Sequence, residues 1–212
     1  MPRIEDVRAV LARHQPVTRE APARAAVAVV LRPERSGADV LLIERARKAG
    51  DPWSGHMAFP GGRQDPEDPS PRATAERETL EEVGLDLAGA ELLGRLDDLE
   101  GRQAGRPVGL AISAFVYGVP DPPRLVPNEE EVESAFWVPL EHLLASERHV
   151  DYRFEHELGS LTMPGIRVGD AEPHVVWGLT YRFLETFFEL LGHRLPAGHR
   201  LVTLSEGARE RR

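Results

Sequence analysis

The 212 residues and 41% hydrophobic content suit one domain, spanning residues 1–212, around a single core. A net charge of -9 excludes a general nucleic-acid or membrane-surface binder, since both need a positive field. Zero cysteines exclude disulfides, zinc–thiolate sites and thiol nucleophiles and agree with a cytoplasmic protein, and neither an apolar run of membrane-spanning length nor a secretory signal is present.

Ile4, Val7, Val10 and Leu11 recur at helical spacing, so residues 4–14 read as an amphipathic helix. Ala25–Leu31 and Ala38–Ile43 read as strands joined by the turn Pro33–Gly37, and Met57–Gly62 as a short strand entering a tight turn. Ser70 as N-cap, Pro71 at the first helical position and Gly84 just past Val83 bracket a helix of about three turns. Glu91–Leu96, Leu110–Tyr117 and Ala135–Val138 read as strands, and Gly118–Asn128, with four prolines, as a surface loop. Pro139–Leu144 starts a short helix, His149–His156 and Gly159–Pro164 form a hairpin, and Val175–Leu191 is the longest helical pattern. The charged segment 206–212 is expected to fray. Mixed strands with helices before, within and after them predict an α/β sandwich, helices covering both faces of a mixed sheet.

The chemistry concentrates on the capped helix. At about 100° per residue, Glu78, Glu81 and Glu82 fall within an arc of roughly 100°, with Ala73, Leu80 and Val83 expected on the opposite side. Three anions on one arc repel each other unless a cation sits among them, and oxygen-only ligands suit Mg²⁺ or Mn²⁺. Such metals serve phosphate chemistry. In a negative protein a phosphorylated substrate must be drawn in locally, by a metal and a few arginines.

Gly62 followed by Arg77-Glu78-x-x-Glu81-Glu82-x-Gly84-Leu85 resembles the Nudix box of the Nudix hydrolases. Fourteen residues separate Gly62 from Arg77, one more than in the generic box. Asp68 stands near a place usually held by glutamate, and Thr79 at a usually aliphatic position. The longer loop, with Asp65 and Asp68, resembles that of the subgroup that cleaves coenzyme A. Leu41-Leu42-x-x-Arg45 and Gly55-x-Met57-x-Phe59-Pro60-Gly61-Gly62 match the two ends of that subgroup's upstream motif, whereas Ala49, Gly50, Asp51 and Trp53 depart from its middle. Trp177-Gly178-Leu179-Thr180 and Glu131-Val132…Trp137-Val138-Pro139-Leu140 are similar to the same subgroup.

The resemblance implies a Nudix-like α/β/α sandwich and a pyrophosphohydrolase with Mg²⁺ or Mn²⁺ as cofactor. Its partner would be a small-molecule nucleotide, most simply coenzyme A or an acyl-CoA, split to 3′,5′-ADP and 4′-phosphopantetheine or its acyl form. ADP-ribose, dinucleoside polyphosphates and nucleoside triphosphates are alternative substrates, and non-catalytic nucleotide binding is the alternative role. Relatives are commonly homodimers. Glu78 and Glu82, stacked at i, i+4, are the expected metal ligands, and Glu81 a ligand or a base. A backbone carbonyl in Phe59–Gly62 adds coordination, because Gly61 and Gly62 let the backbone approach a ligand closely. By resemblance Arg77 orients a carboxylate through an ion pair. Glu131 is the candidate additional ligand or base, and Arg45 and Arg63 are candidate phosphate contacts.

Plainer readings stand beside these. Glu131 closes the run Glu129-Glu130-Glu131, which also reads as exposed loop charge, and Arg45 also reads as a rim charge. Trp53 and Phe59 read as packing residues, and Trp177 with Phe183, Phe187 and Phe188 as core. His56, His156 and His174 are within reach of a pocket, although no spacing among the eight histidines makes a metal site. Gly-x-Ser-x-Gly is absent, so a Ser-His-Asp hydrolase finds no support.

Overall fold

Ala28 to Leu31 and Val40 to Ile43 are aliphatic runs buried on both faces, the pattern of central strands. In the computed structural model they occupy β1 (Ala23–Glu34) and β2 (Gly37–Arg45), an antiparallel hairpin turning at Arg35 and Ser36. The structure describes residues 1–48, 54–103, 106–156, 159–169 and 174–196. β7 (Arg106–Gly118) lies parallel to β1, from Ala23 opposite Leu110 to Leu31 opposite Gly118, so the sheet is mixed. β5 (Glu91–Arg95) and β6 (Leu99–Gln103) add antiparallel to β7, and β8 (Val132–Pro139) adds to β2.

The site's position follows from how β1 and β2 part. They pair only where Leu31–Glu34 faces Gly37–Val40, and beyond this they splay. β3 (Met57–Ala58) fills the gap on the β2 side, opposite Ile43 and Glu44, and β4 (Gly61–Arg63) fills it on the β1 side, opposite Ala25–Val27. Phe59-Pro60 crosses between them, and the Pro60 carbonyl accepts the Ala28 N–H at 2.8 Å. The single strand expected over Met57–Gly62 is therefore two short ones, since proline has no N–H with which to continue a ladder.

Alternation gives the sheet two apolar faces. Val29, Leu31, Val40, Leu42, Ala114 and Val116 meet α1 (Ile4–Leu11) and α4 (Gly178–Leu190), where Phe183, Phe187 and Phe188 are buried as expected. Ala26, Ala28, Val30, Leu41, Ile43 and Tyr117 meet Ala75 and Val83 of α2 (Pro71–Val83). Each large aliphatic or aromatic side chain so buried contributes about 1.5–3 kcal/mol. This is the expected α/β/α sandwich. Phe59 is buried in the α4 core, whereas Trp53 and the segment 206–212 lie outside the described residues.

Three readings are corrected. The Val175–Leu191 helix begins only at Gly178; Val175–Trp177 is β11, paired with Gly165–Arg167 of β10 (Gly159–Arg167). Valine and tryptophan favour the pleated conformation, and Gly178, at φ 63°, makes the turn into the helix. β10 also pairs with β9 (His149–His156), giving a separate three-stranded sheet. β6 was not expected: Leu99-Glu-Gly-Arg-Gln103 offers no apolar alternation, and it is a strand because β7 supplies an edge. The N-terminal helix stops at Leu11, short of residue 14.

Candidate active site

α2 is built as its sequence requires. Ser70 is extended at φ -163° and its Oγ accepts the Ala73 N–H at 3.2 Å; at the other end Gly84, at φ 69°, donates its N–H to Leu80 at 2.9 Å. The inward face is set by small side chains. Thr74, Ala75 and Thr79 are buried against the sheet, and the Thr79 hydroxyl is satisfied by the Ala75 carbonyl at 2.7 Å. That face takes in Glu82 and Val83 and leaves Leu80 49% exposed. Close approach to β1 selects for small residues, and Val83 is the large apolar side chain of α2 buried there.

Glu82 is only 2% exposed, and its Oε2 accepts the Gly61 N–H at 2.8 Å. Burial pushes its pKa up to about 8; the Gly61 bond opposes this, Glu78 and Glu131 add to it, and Arg45 opposes it. Glu78, one turn earlier, is raised by burial against the pull of Arg77, with Glu81 and Glu131 adding to the rise. The Glu81 side chain is 51% exposed.

The two glycines of the wedge shape this cradle. A Cβ on Gly61 would stand 2.3 Å from the Ala26 carbonyl oxygen, at a φ of 150° that side chains rarely adopt. A Cβ on Gly62 would stand 2.5 Å from the Glu78 carboxylate, which fills the space a side chain would need. The two sites should therefore respond differently. Gly61→Ala clashes with backbone and should destabilise the fold by about 2 kcal/mol or more. Gly62→Ala displaces a side chain and should lower activity with a near-normal melting temperature. Equal melting losses in the two variants would contradict this division.

Arg77 ties the loop to the helix. Its Nε and Nη2 donate to the two oxygens of Asp68 at 3.0 and 2.9 Å, and its Nη1 donates to Glu81 at 2.8 Å and lies 3.0 Å from Glu78. Nη2 also reaches the Arg63 carbonyl at 3.3 Å. Asp68 further accepts the Asp65 N–H and the Thr74 hydroxyl, each at 3.0 Å. The Arg77 hydrogen bonds hold the Asp68 acid far below the usual carboxylate range. Sequence reasoning noted Asp68 as a departure from glutamate and as part of the longer loop, and its place as the main partner of Arg77 emerges from the structure.

The remaining candidates divide. Arg45, half-buried at the end of β2, places its charge close enough to act on Glu82. Glu131 is exposed, its carbonyl accepts the Ala46 N–H at 2.8 Å, and its charge reaches both Glu78 and Glu82. The Arg63 side chain is exposed and its carbonyl is turned to Arg77. Of the histidines, His56 joins an aromatic group, and His174 Nε2 lies 3.1 Å from Glu44, a buried acid that also accepts the Ser134 hydroxyl. Glu44 was not singled out, since the predicted strand stopped at Ile43. The His156 side chain is outside the described residues.

Among the described residues no three Asp, Glu or His side chains close into a metal-sized cluster; Arg77 engages Glu78 and Glu81 in this arrangement. The donor chemistry nevertheless fits a hard divalent cation. Glu78, Glu82 and Glu131 are oxygen donors, the charges of Glu78 and Glu131 raise the proton affinity of Glu82, and Glu82 is held out of solvent beside a backbone wedge. No described helix is long and apolar enough to cross a membrane.

The family model for the NUDIX domain matches residues 22–158. The chain belongs to the NUDIX domain family. The mitochondrial coenzyme A diphosphatase NUDT8 of Mus musculus is 35% identical over 185 residues, covering 87% of this chain and 85% of that protein. A Schizosaccharomyces pombe protein is 46% identical over 112 residues, 51% of this chain, and the match spans only 34% of that relative's length. The crystal structure of a MutT/nudix family protein from Enterococcus faecalis matches with a TM-score of 0.52 at 18% identity, covering 85% of this chain and 66% of that one, a likeness of fold. The matched residues include α2 and the wedge of β3 and β4 that leads into it.

Proposed function

We propose that this Nudix protein hydrolyses the pyrophosphate bond of coenzyme A or an acyl-CoA, using Mg²⁺ or Mn²⁺. The reading is carried by the near full-length similarity to a coenzyme A diphosphatase. It is supported by a complete set of box carboxylates, which speaks against a non-catalytic binder. Glu78 and Glu82 would hold the metal, with Glu81 or a carbonyl of Phe59–Gly62 completing its shell. Bound there, a divalent ion neutralises phosphate oxygens and lowers the pKa of a bound water.

The chain's own groups do the rest. Gly61 fixes the Glu82 carboxylate through its N–H, and Arg77 aims Glu78 and Glu81. Glu131 or Glu81, the exposed acids, accepts the proton of the attacking water. Arg45 and Arg63 receive the substrate's phosphate oxygens as guanidinium donors. Water adds at one phosphorus and the bridging P–O bond breaks, releasing 3′,5′-ADP and 4′-phosphopantetheine or its acyl form.

The test is a panel of coenzyme A, acyl-CoA, ADP-ribose, dinucleoside polyphosphates and nucleoside triphosphates with Mg²⁺ or Mn²⁺, products identified by mass. Coenzyme A is expected to give the highest kcat/KM. If ADP-ribose were turned over as fast, the substrate assignment would fail, and metal binding without turnover of any compound would indicate a binding protein.

A further inference from the structure

Four aromatic rings gather at the Arg45 end of β2. Trp177 stacks on Tyr152 and Phe154, with ring centroids 5.0 and 4.8 Å apart, and His56 meets Trp177 edge-on at 4.7 Å and Phe154 at 5.8 Å. Strand alternation fixes which way they face. On β11 and β10, Val176 and Ile166 enter the α4 core, so Trp177 and its partner Gly165 lie on the opposite face, with Tyr152 and Phe154. On β3, Met57 enters the α4 core and Ala58 the α2 side, so His56 shares the side of α2. A Cβ on Gly165 would stand 2.7 Å from Val175 Cγ1 and 3.2 Å from Tyr152 Cβ, so the lack of a side chain there leaves room for its neighbours on this face.

The group sits beside the catalytic elements. The His56 carbonyl accepts the Arg45 N–H at 3.1 Å, Arg45 reaches Glu82 electrostatically, and three residues beyond His56 the chain enters the Phe59–Gly62 wedge. His56, Tyr152 and Phe154 are half-buried, and α4 covers the other face of their sheet. The charge here runs against that of the whole chain. Arg45, Arg47 and Lys48 fall within four residues in a protein of net charge -9, and the exposed Arg47 guanidinium lies beside Gly55, with Glu44 4.0 Å away.

We infer that the half-buried rings of His56, Tyr152 and Phe154, backed by the buried Trp177, form a shelf for the adenine of the substrate, and that Arg47 and Lys48 receive its ribose phosphate. This rests on the coenzyme A reading. Stacking is sequence-tolerant and serves any π-face, so the phosphate carries the discrimination. A 3′-phosphate is the one difference between coenzyme A and dephospho-coenzyme A, and ADP-ribose lacks it too.

The test pairs two variants with two measurements. Phe154→Leu should weaken binding of 3′,5′-ADP, and raise KM for coenzyme A, by about 10- to 100-fold, the value of one base–aromatic stack, with kcat within about twofold of wild type. Arg47→Gln combined with Lys48→Gln, both at exposed positions, should abolish the preference for coenzyme A over dephospho-coenzyme A. Unaltered 3′,5′-ADP binding in a folded Phe154→Leu protein, or weakened binding of 4′-phosphopantetheine alone, overturns the shelf. A retained 3′-phosphate preference in the Arg47→Gln, Lys48→Gln double variant overturns the phosphate assignment. A wild-type protein that binds 3′,5′-ADP through Phe154 yet does not cleave coenzyme A upholds the shelf while the hydrolase reading fails.

Discussion

Glu82→Gln is expected to yield a metal-free protein more stable than the wild type and an enzyme close to inactive. The acid is 2% exposed and titrates near 8 in the folded chain against an ordinary 4.5. Between those values the native state holds a proton that the unfolded state has released. Stability from this group is therefore complete below about pH 4.5 and is lost as pH rises toward 8, by on the order of a few kcal/mol. Glutamine keeps an acceptor for the Gly61 N–H and carries no charge to bury. In chelator, the wild-type melting temperature should fall from pH 5 to pH 8 relative to that of the variant, with Glu82→Gln higher by at least about 4 °C at pH 8. Divalent metal should reverse the order, because it stabilises only the protein that binds it. Turnover should drop at least about a hundredfold. A variant that melts with the wild type at pH 8 in chelator and still hydrolyses its substrate would remove Glu82 from the metal site.

That conflict between stability and chemistry explains why the box was legible and its surroundings were not. Ser70, Pro71 and Gly84 announce the ends of α2 by local backbone chemistry, and Arg77, Glu78, Glu81 and Glu82 fall at helical spacing, so a single sequence suffices to place them. The inward face could not be read the same way. Leu80 is exposed, and the sheet is approached mostly through Thr74, Ala75 and Thr79 beside Val83, which bring Glu82 down onto Gly61. Ordinary amphipathic logic fails where a charged group must be buried to work. β11 was hidden for another reason: Val175-Val176-Trp177 runs into an apolar helix with only Gly178 between them, and the turn at Gly178 and the pairing with β10 separate the two. The Asp68–Arg77 fork depends on a loop folding back across nine residues, a distance that no local periodicity reports.

Arg77→Lys should also lose most of the activity although it preserves the charge. The guanidinium works along two edges at once, Nε and Nη2 on Asp68 and Nη1 on Glu81 and Glu78. An ammonium is a compact donor on a flexible stem and cannot span both. If lysine keeps the glutamates, Asp68 is stranded with a side chain only 7% exposed, satisfied by Asp65 and Thr74 alone. The cost is about 2–3 kcal/mol. It should also change the acid limb of the stability curve. The wild-type Asp68 acid lies below its ordinary value, so its contribution is present above about pH 4 and is lost as pH falls further; in Arg77→Lys that loss should shrink. Because Arg77 aims the glutamates and the loop together, kcat should fall by at least about tenfold with KM little changed. Asp68→Asn should reproduce part of both effects, and the double variant should be no worse than Arg77→Lys alone, since both substitutions break one fork. Additive losses would show that Arg77 serves the glutamates and Asp68 independently, and the loop would then have no part in aiming the carboxylates.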